Sequence, residues 1–135
     1  MFRRFASLFR IGSGSDRASD EAVDPKRWRA VRSADLKLLH HLRKNGDRPH
    51  IVREIDLSFL GPLGNLQRLA EDCARFGFSV RELLESDEEG QPWLFLARDQ
   101  TADEDAIRNL TVTYLQIEDA FGVQCNGWGC EAQVN

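Results

Sequence analysis

Acid–base catalysis needs two carboxylates, or a carboxylate and a histidine, converging on one reacting atom. The chain offers neighbouring acids at Glu71-Asp72, Glu88-Glu89 and Glu118-Asp119. Adjacent residues point in different directions on a helix or a strand, so each pair suits a solvated position better than a catalytic one. His40-His41 have no Cys, Asp or Glu three or four residues further on, which a metal site on one helical face needs. Gly61-Pro62-Leu63-Gly64 is not followed by the Lys-Ser/Thr of a phosphate-binding loop. The single tyrosine, Tyr114, and the histidines belong to no recognisable nucleophile motif. No catalytic residue, metal or cofactor is therefore expected, and the protein is expected not to be an enzyme.

What the residues could do instead is bind. Of 135 residues, 30% are charged, with a net of −4. Residues 1–33 hold eight Lys+Arg against four Asp+Glu, and residues 34–135 hold ten against eighteen. A body at −8 repels phosphate backbones and favours basic protein partners. Candidate contact residues are the acids Asp87, Glu88 and Glu89 in an expected hairpin loop and Asp103, Glu104 and Asp105 at an expected helix start. The composition, 41% hydrophobic, is that of a soluble globular domain.

These groups have to be carried by ordered elements. Ser33 is a plausible N-cap for a helix bearing Leu36, Leu39 and Leu42 and ending near Gly46. After Pro49, Ile51, Ile55, Leu57 and Phe59 alternate with His50, Glu54, Asp56 and Ser58, which predicts a strand with one buried and one polar face and Arg53 at its edge. Gly61-Pro62 opens a helix with Leu63, Leu66, Leu69 or Ala70, Cys73 and Phe76 inside and Gly77 as its stop. Strands over Phe78–Glu85 and Trp93–Ala97 flank the loop Ser86–Gly90. Thr101-x-x-Glu104 reads as a capping box before Ile107, Leu110, Tyr114, Ile117 and Phe121, and Gly122 as the stop of that helix. With a final strand the order is β-α-β-β-α-β behind one extra helix. That is an α+β, ferredoxin-like sandwich: a four-stranded antiparallel sheet with helices on one face and the Ile51 and Trp93 strands in the middle.

The final strand carries an irregularity. Val123 and Cys125 are odd-numbered apolar residues, whereas Trp128, Cys130, Ala132 and Val134 are even. A strand keeps its parity, so an extra residue is expected at Asn126-Gly127, a bulge that re-aims Trp128. Trp128 then either caps the helical core or joins an apolar patch on the other face. The three cysteines form no Cys-x-x-Cys pair. Cys73 reads as a small buried hydrophobe. Cys125 and Cys130 are expected on opposite faces unless the bulge brings them round. A reduced, cytoplasmic protein is expected, without a secretory signal or a membrane-spanning run.

A helix, Phe121-Gly122, then Asn126-Gly127-Trp128-Gly129 and the acidic Glu131 resembles the Asp-Gly-Trp-Gly ending of the ribonuclease E inhibitor B family (regulator of ribonuclease activity B), a bacterial family. Phe76-Gly77-Phe78 and Gly46-Asp47…Pro49 extend the resemblance over about residues 35–133. Asn126 stands where the family has Asp, and the long acidic tail of some members is expected to be missing, so the fold is expected to carry over better than the inhibition. The resemblance implies a small cytoplasmic protein that binds an RNA-degrading endonuclease and modulates it without catalysis. It also implies that Asn126, Gly127, Trp128 and Gly129 take part in partner binding. An acidic surface could steer toward the Arg-rich, non-catalytic part of such a nuclease and compete with RNA.

Two other roles are open. RNA-binding modules of this fold stack bases on a central strand bearing basic and glycine positions. The corresponding Gln91–Arg98 has Trp93 and Phe95 on one face but lacks those positions, so no direct nucleic-acid contact is expected. Residues 1–12 are amphipathic: Phe2, Phe5, Leu8 and Phe9 on one side, Arg3, Arg4, Ser7 and Arg10 on the other. Such a segment can dock on the protein or a partner, lie on an anionic membrane through Phe2, Phe5, Phe9, Arg3 and Arg4, or act as a transit peptide. Residues 13–32 read as a flexible linker, with Trp28 either pinning it to the acidic domain 33–135 or stacking on a base.

Overall fold

A computed structural model describes residues 24–134. The segment 1–12, with Phe2, Arg3, Arg4, Phe5 and Phe9, and residues 13–23 of the expected linker lie outside the described residues. The elements run α1 (Pro25–Lys44), β1 (Arg53–Leu60), α2 (Leu63–Asp72), β2 (Ser79–Leu84), β3 (Trp93–Gln100), α3 (Glu104–Phe121) and β4 (Gln124–Gly129). The strands form one antiparallel sheet in the order β2-β3-β1-β4, with the two expected strands central. This is the expected α+β arrangement.

The first helix starts earlier than its sequence suggests. Asp24, not Ser33, is the N-cap, its carboxylate accepting the Lys26 N–H at 3.0 Å, with Pro25 in the first turn. Lys26–Arg32, expected as linker, is helical because Trp28, Val31, Asp35, Leu39 and Leu42 make one continuous inward stripe. Leu36, expected on that stripe, is 42% exposed. The cap of α3 also differs: Asp103 rather than Thr101 takes the Ala106 N–H, at 3.2 Å. Thr101 donates its hydroxyl to Asp103 and fixes that carboxylate.

The core lies between the sheet and the helices. Ile55, Leu57 and Phe59 of β1 and Leu94 and Leu96 of β3 meet Leu66 and Leu69 of α2 and Ile107, Leu110, Tyr114 and Ile117 of α3. The polar face expected for β1 is not a wet one, since Asp56 and Ser58 are buried along with Leu60. A central strand in a four-stranded sheet is flanked on both sides, so even its outward residues lose much of their exposure.

Arg53, expected at an edge, is buried at the start of β1 and paired with Asp47 at 2.8 Å. Its guanidinium also donates to the carbonyls of Ile51 and Arg48, at 2.9 and 2.8 Å. Asp47 accepts Arg43 at 2.8 Å and the backbone N–H of Gln133 at 2.7 Å. The pair thus joins the end of α1, the lead into β1 and the C-terminal segment. Breaking a buried pair leaves an uncompensated charge, whereas replacing both partners with apolar groups removes the problem. Asp47→Ala is expected to lower stability by about 3–5 kcal/mol in urea unfolding, and Asp47→Leu with Arg53→Met to recover most of it. Equal losses for the single and the double variant would show that the pair's charge is not what matters.

Candidate protein-interaction site

The bulged Asn126–Gly129 segment of β4 is built by strand arithmetic. Leu57 and Phe59 of β1, two residues apart, face Trp128 and Cys125 of β4, three apart. The extra residue is the expected bulge, and Gly127 supplies it at φ 108°, which L side chains rarely adopt. The bulge lets both Cys125 and Trp128 face the helices, and it brings Cys130 round to the same core. Trp128 is 3% exposed and Gly129 is buried, while Asn126 and Gly127 are half-buried. The structure therefore seats Trp128 under the helices, away from any outer apolar patch.

Its indole N–H donates to Asp35 Oδ1 at 2.9 Å, and Thr111 donates its hydroxyl to Asp35 Oδ2 at 2.6 Å. Arg32 adds a charge at 3.8 Å. Asp35 thus holds α1, α3 and β4 together from a position that is 2% exposed. Burial raises its pKa above the usual carboxylate range, and the bonds from Thr111 and Trp128 pull the other way. A second tie repeats the pattern at the far end of α3. Glu118 accepts the Arg27 guanidinium, with Nε at 3.2 Å, and the Cys125 N–H at 2.7 Å. Burial raises its pKa too, against the pull of Arg27. Cys125 lies in the core with its thiol pushed well above the usual range by burial, which makes it inert rather than reactive.

The six candidate acids divide in two ways. By position, Asp87–Glu89 lie in the loop before β3 and Asp103–Asp105 after its end. The eight residues of β3 hold them apart by about 25 Å, so they form two patches and not one. By duty, Asp87 and Asp103 are committed to structure. Asp87 accepts the N–H groups of Glu89 and Gln91, at 2.8 and 2.9 Å, and the Trp93 indole at 2.8 Å. Asp103 caps α3, and its hydrogen bonds, chiefly from Thr101, lower its pKa. Glu88, Glu89, Glu104 and Asp105 are exposed.

Sequence reasoning missed Asp35. The signal was an acid on the apolar stripe of a helix, four residues from Val31 and from Leu39. Trp28 packs against the core beside Arg108, whose guanidinium lies 5.9 Å from the ring centre, and so fastens α1 to the domain.

Trp128→Ala is expected to lower stability by about 3–5 kcal/mol through lost packing. Trp128→Phe keeps most of the ring but removes the donor to Asp35, and is expected to lose about 1–3 kcal/mol. Thermal melting that leaves Trp128→Ala as stable as the wild type would place the ring outside the core. The raised pKa of Asp35 has a signed consequence. The folded state holds this proton more tightly than the unfolded chain, so the contribution is full below about pH 4 and is lost as pH rises through the folded value. Denaturant unfolding across pH is expected to show wild type losing stability relative to Asp35→Asn over that window; a constant difference would contradict it.

A model of the family "regulator of ribonuclease activity B" matches residues 32–130. No curated protein matches the chain. The matched span runs from within α1 to just past Trp128 and takes in the whole sheet, α2 and α3. The bulged strand, the buried tryptophan and this match together show that the chain belongs to the regulator of ribonuclease activity B family.

Proposed function

We propose that this protein regulates an RNA-degrading endonuclease by binding it through exposed acids, with no chemistry of its own. The family regulates ribonuclease activity, which supplies the class of partner. The observation that carries the mode of binding is the charge of the body: Glu88, Glu89, Glu104 and Asp105 are exposed on residues 34–135, which hold ten Lys+Arg against eighteen Asp+Glu. The partner surface is then basic, such as an Arg-rich segment of a ribonuclease E-type enzyme outside its catalytic part. An acidic protein seated there competes with RNA for the same arginines.

The bulged segment Asn126–Gly129 contributes by holding the fold, since Trp128 and Gly129 are buried. Base stacking on the sheet gains no support, because Trp93 and Phe95 are 8% and 2% exposed.

Titration of the protein against the Arg-rich segment is expected to give an affinity that falls steeply as salt rises. Glu88→Lys with Glu89→Lys, and separately Glu104→Lys with Asp105→Lys, are expected to weaken it by about tenfold at the patch that makes contact, mostly through the association rate. An affinity indifferent to ionic strength and to both reversals would refute an electrostatic contact.

A further inference from the structure

The acidic balance of residues 34–135 hides one basic element. Residues 24–50, α1 and the chain just after it, hold eight Lys+Arg against three Asp+Glu, whereas residues 51–135 hold six against sixteen. The three acids of the first group are all engaged: Asp24 caps α1, and Asp35 and Asp47 are buried among their donors. Three of the eight cations are engaged too. Arg27 meets Glu118, Arg32 lies beside Asp35 and Glu104, and Arg43 bonds Asp47. The other five, Lys26, Arg29, Lys37, Lys44 and Arg48, are exposed and form no ion pair among the described residues.

Helical geometry lines four of them up. At 3.6 residues per turn, Lys26, Arg29, Lys37 and Lys44 fall within about 80° of one another around α1. Ser33 and His40 lie in the same row and are exposed. Val31, Asp35, Leu39 and Leu42 face the core from the opposite side. The row is about 27 Å long at 1.5 Å per residue, and it contains no acid. Arg48 follows after the helix ends.

We propose that the outer face of α1 binds the phosphate backbone of RNA. The choice of RNA rests on the ribonuclease-regulator reading above, which puts the protein beside that polymer. The choice of a phosphate backbone rests on the chemistry of the row. Leu36, 42% exposed, is the one large apolar side chain exposed on α1. A protein partner is held through buried aromatic or aliphatic anchors, which the row does not offer. A membrane takes up an apolar helix face, and that of α1 is already occupied by the core. A phosphate backbone asks only for spaced cations, and such contacts position the polymer without reading its sequence. The acidic remainder of the domain does not forbid this, because repulsion between exposed charges fades over about 8 Å at physiological salt. The two signs then have separate duties: exposed acids take the partner's arginines, and α1 takes the RNA.

Fluorescence anisotropy of a labelled oligouridylate with the full chain tests this. Log affinity against log salt is expected to fall with a slope of about −0.7 for each cation neutralised, or about −3.5 for the five. Lys26→Gln, Arg29→Gln, Lys37→Gln and Lys44→Gln together are expected to weaken binding by more than about tenfold at low salt and to flatten the slope to about −0.7. Glutamine is a comparable helix former and all four side chains are exposed, so the melting temperature is expected to stay near that of wild type. No binding of oligouridylate at low salt, or a quadruple variant that binds it as wild type does, would overturn the proposal. Polyglutamate bound more tightly than oligouridylate would assign the row to an acidic protein instead, and preference for phosphatidylserine vesicles would assign it to a membrane. The quadruple variant is expected to bind the proposed Arg-rich partner segment at least as tightly as wild type. Wild type that takes the segment but not RNA would remove this inference alone, and RNA bound without the segment would remove the partner reading alone.

Discussion

The carboxylate of Asp35 must be satisfied inside the protein, and one of its donors comes from a strand that changes parity. Asp35 lies on the inner stripe of α1, where a helix normally presents an apolar residue. Thr111 on α3 and Trp128 on β4 supply its donors. Without the extra residue at Gly127, a strand that set Cys125 toward the core would turn position 128 away from it. The asparagine-glycine pair, the tryptophan and the buried acid are therefore one device. It fixes α1, an addition to the ordinary βαββαβ plan, against α3 and the edge strand of the sheet.

That device accounts for a division of labour. Of Asn126–Gly129, Trp128 and Gly129 are buried, and the tryptophan packs beneath the helices. The surface is left to the acids, and even there the structure separates those that cap or brace a loop from those that face water. Asp87 braces the β2–β3 loop and anchors the Trp93 ring, while its neighbours Glu88 and Glu89 are exposed. Asp103 caps α3, while Glu104 and Asp105 are exposed in its first turn, where their charge also suits the helix dipole.

Much of this was legible in the sequence where the governing rule is local. Period-two alternation located β1, a short apolar run after a polar loop located β3, and the odd-to-even change in the final strand located the bulge to within two residues. Order along the chain gave the sheet order. What failed depended on comparing near-equal alternatives or on distant contacts. Thr101 and Asp103 both satisfy a cap pattern, and only the three-dimensional path of the loop decides between them. The polar composition of Lys26–Arg32 hid the stripe that Trp28 and Val31 begin. Asp35 was passed over because its partners lie 93 and 76 residues away, and Arg53 looked like an edge residue because its partner lies six residues back across a turn. The two acid patches could be told apart only once β3 had its full eight-residue length.

The central claim is that Trp128 serves the fold and the exposed acids serve the partner. Calorimetric titration of the proposed partner, an Arg-rich segment of an endonuclease, into Trp128→Phe, held well below its melting temperature, tests it most directly. The account predicts a dissociation constant equal to that of the wild type despite the lower stability. A folded Trp128→Phe protein with weakened binding would contradict it and return the tryptophan to the interface.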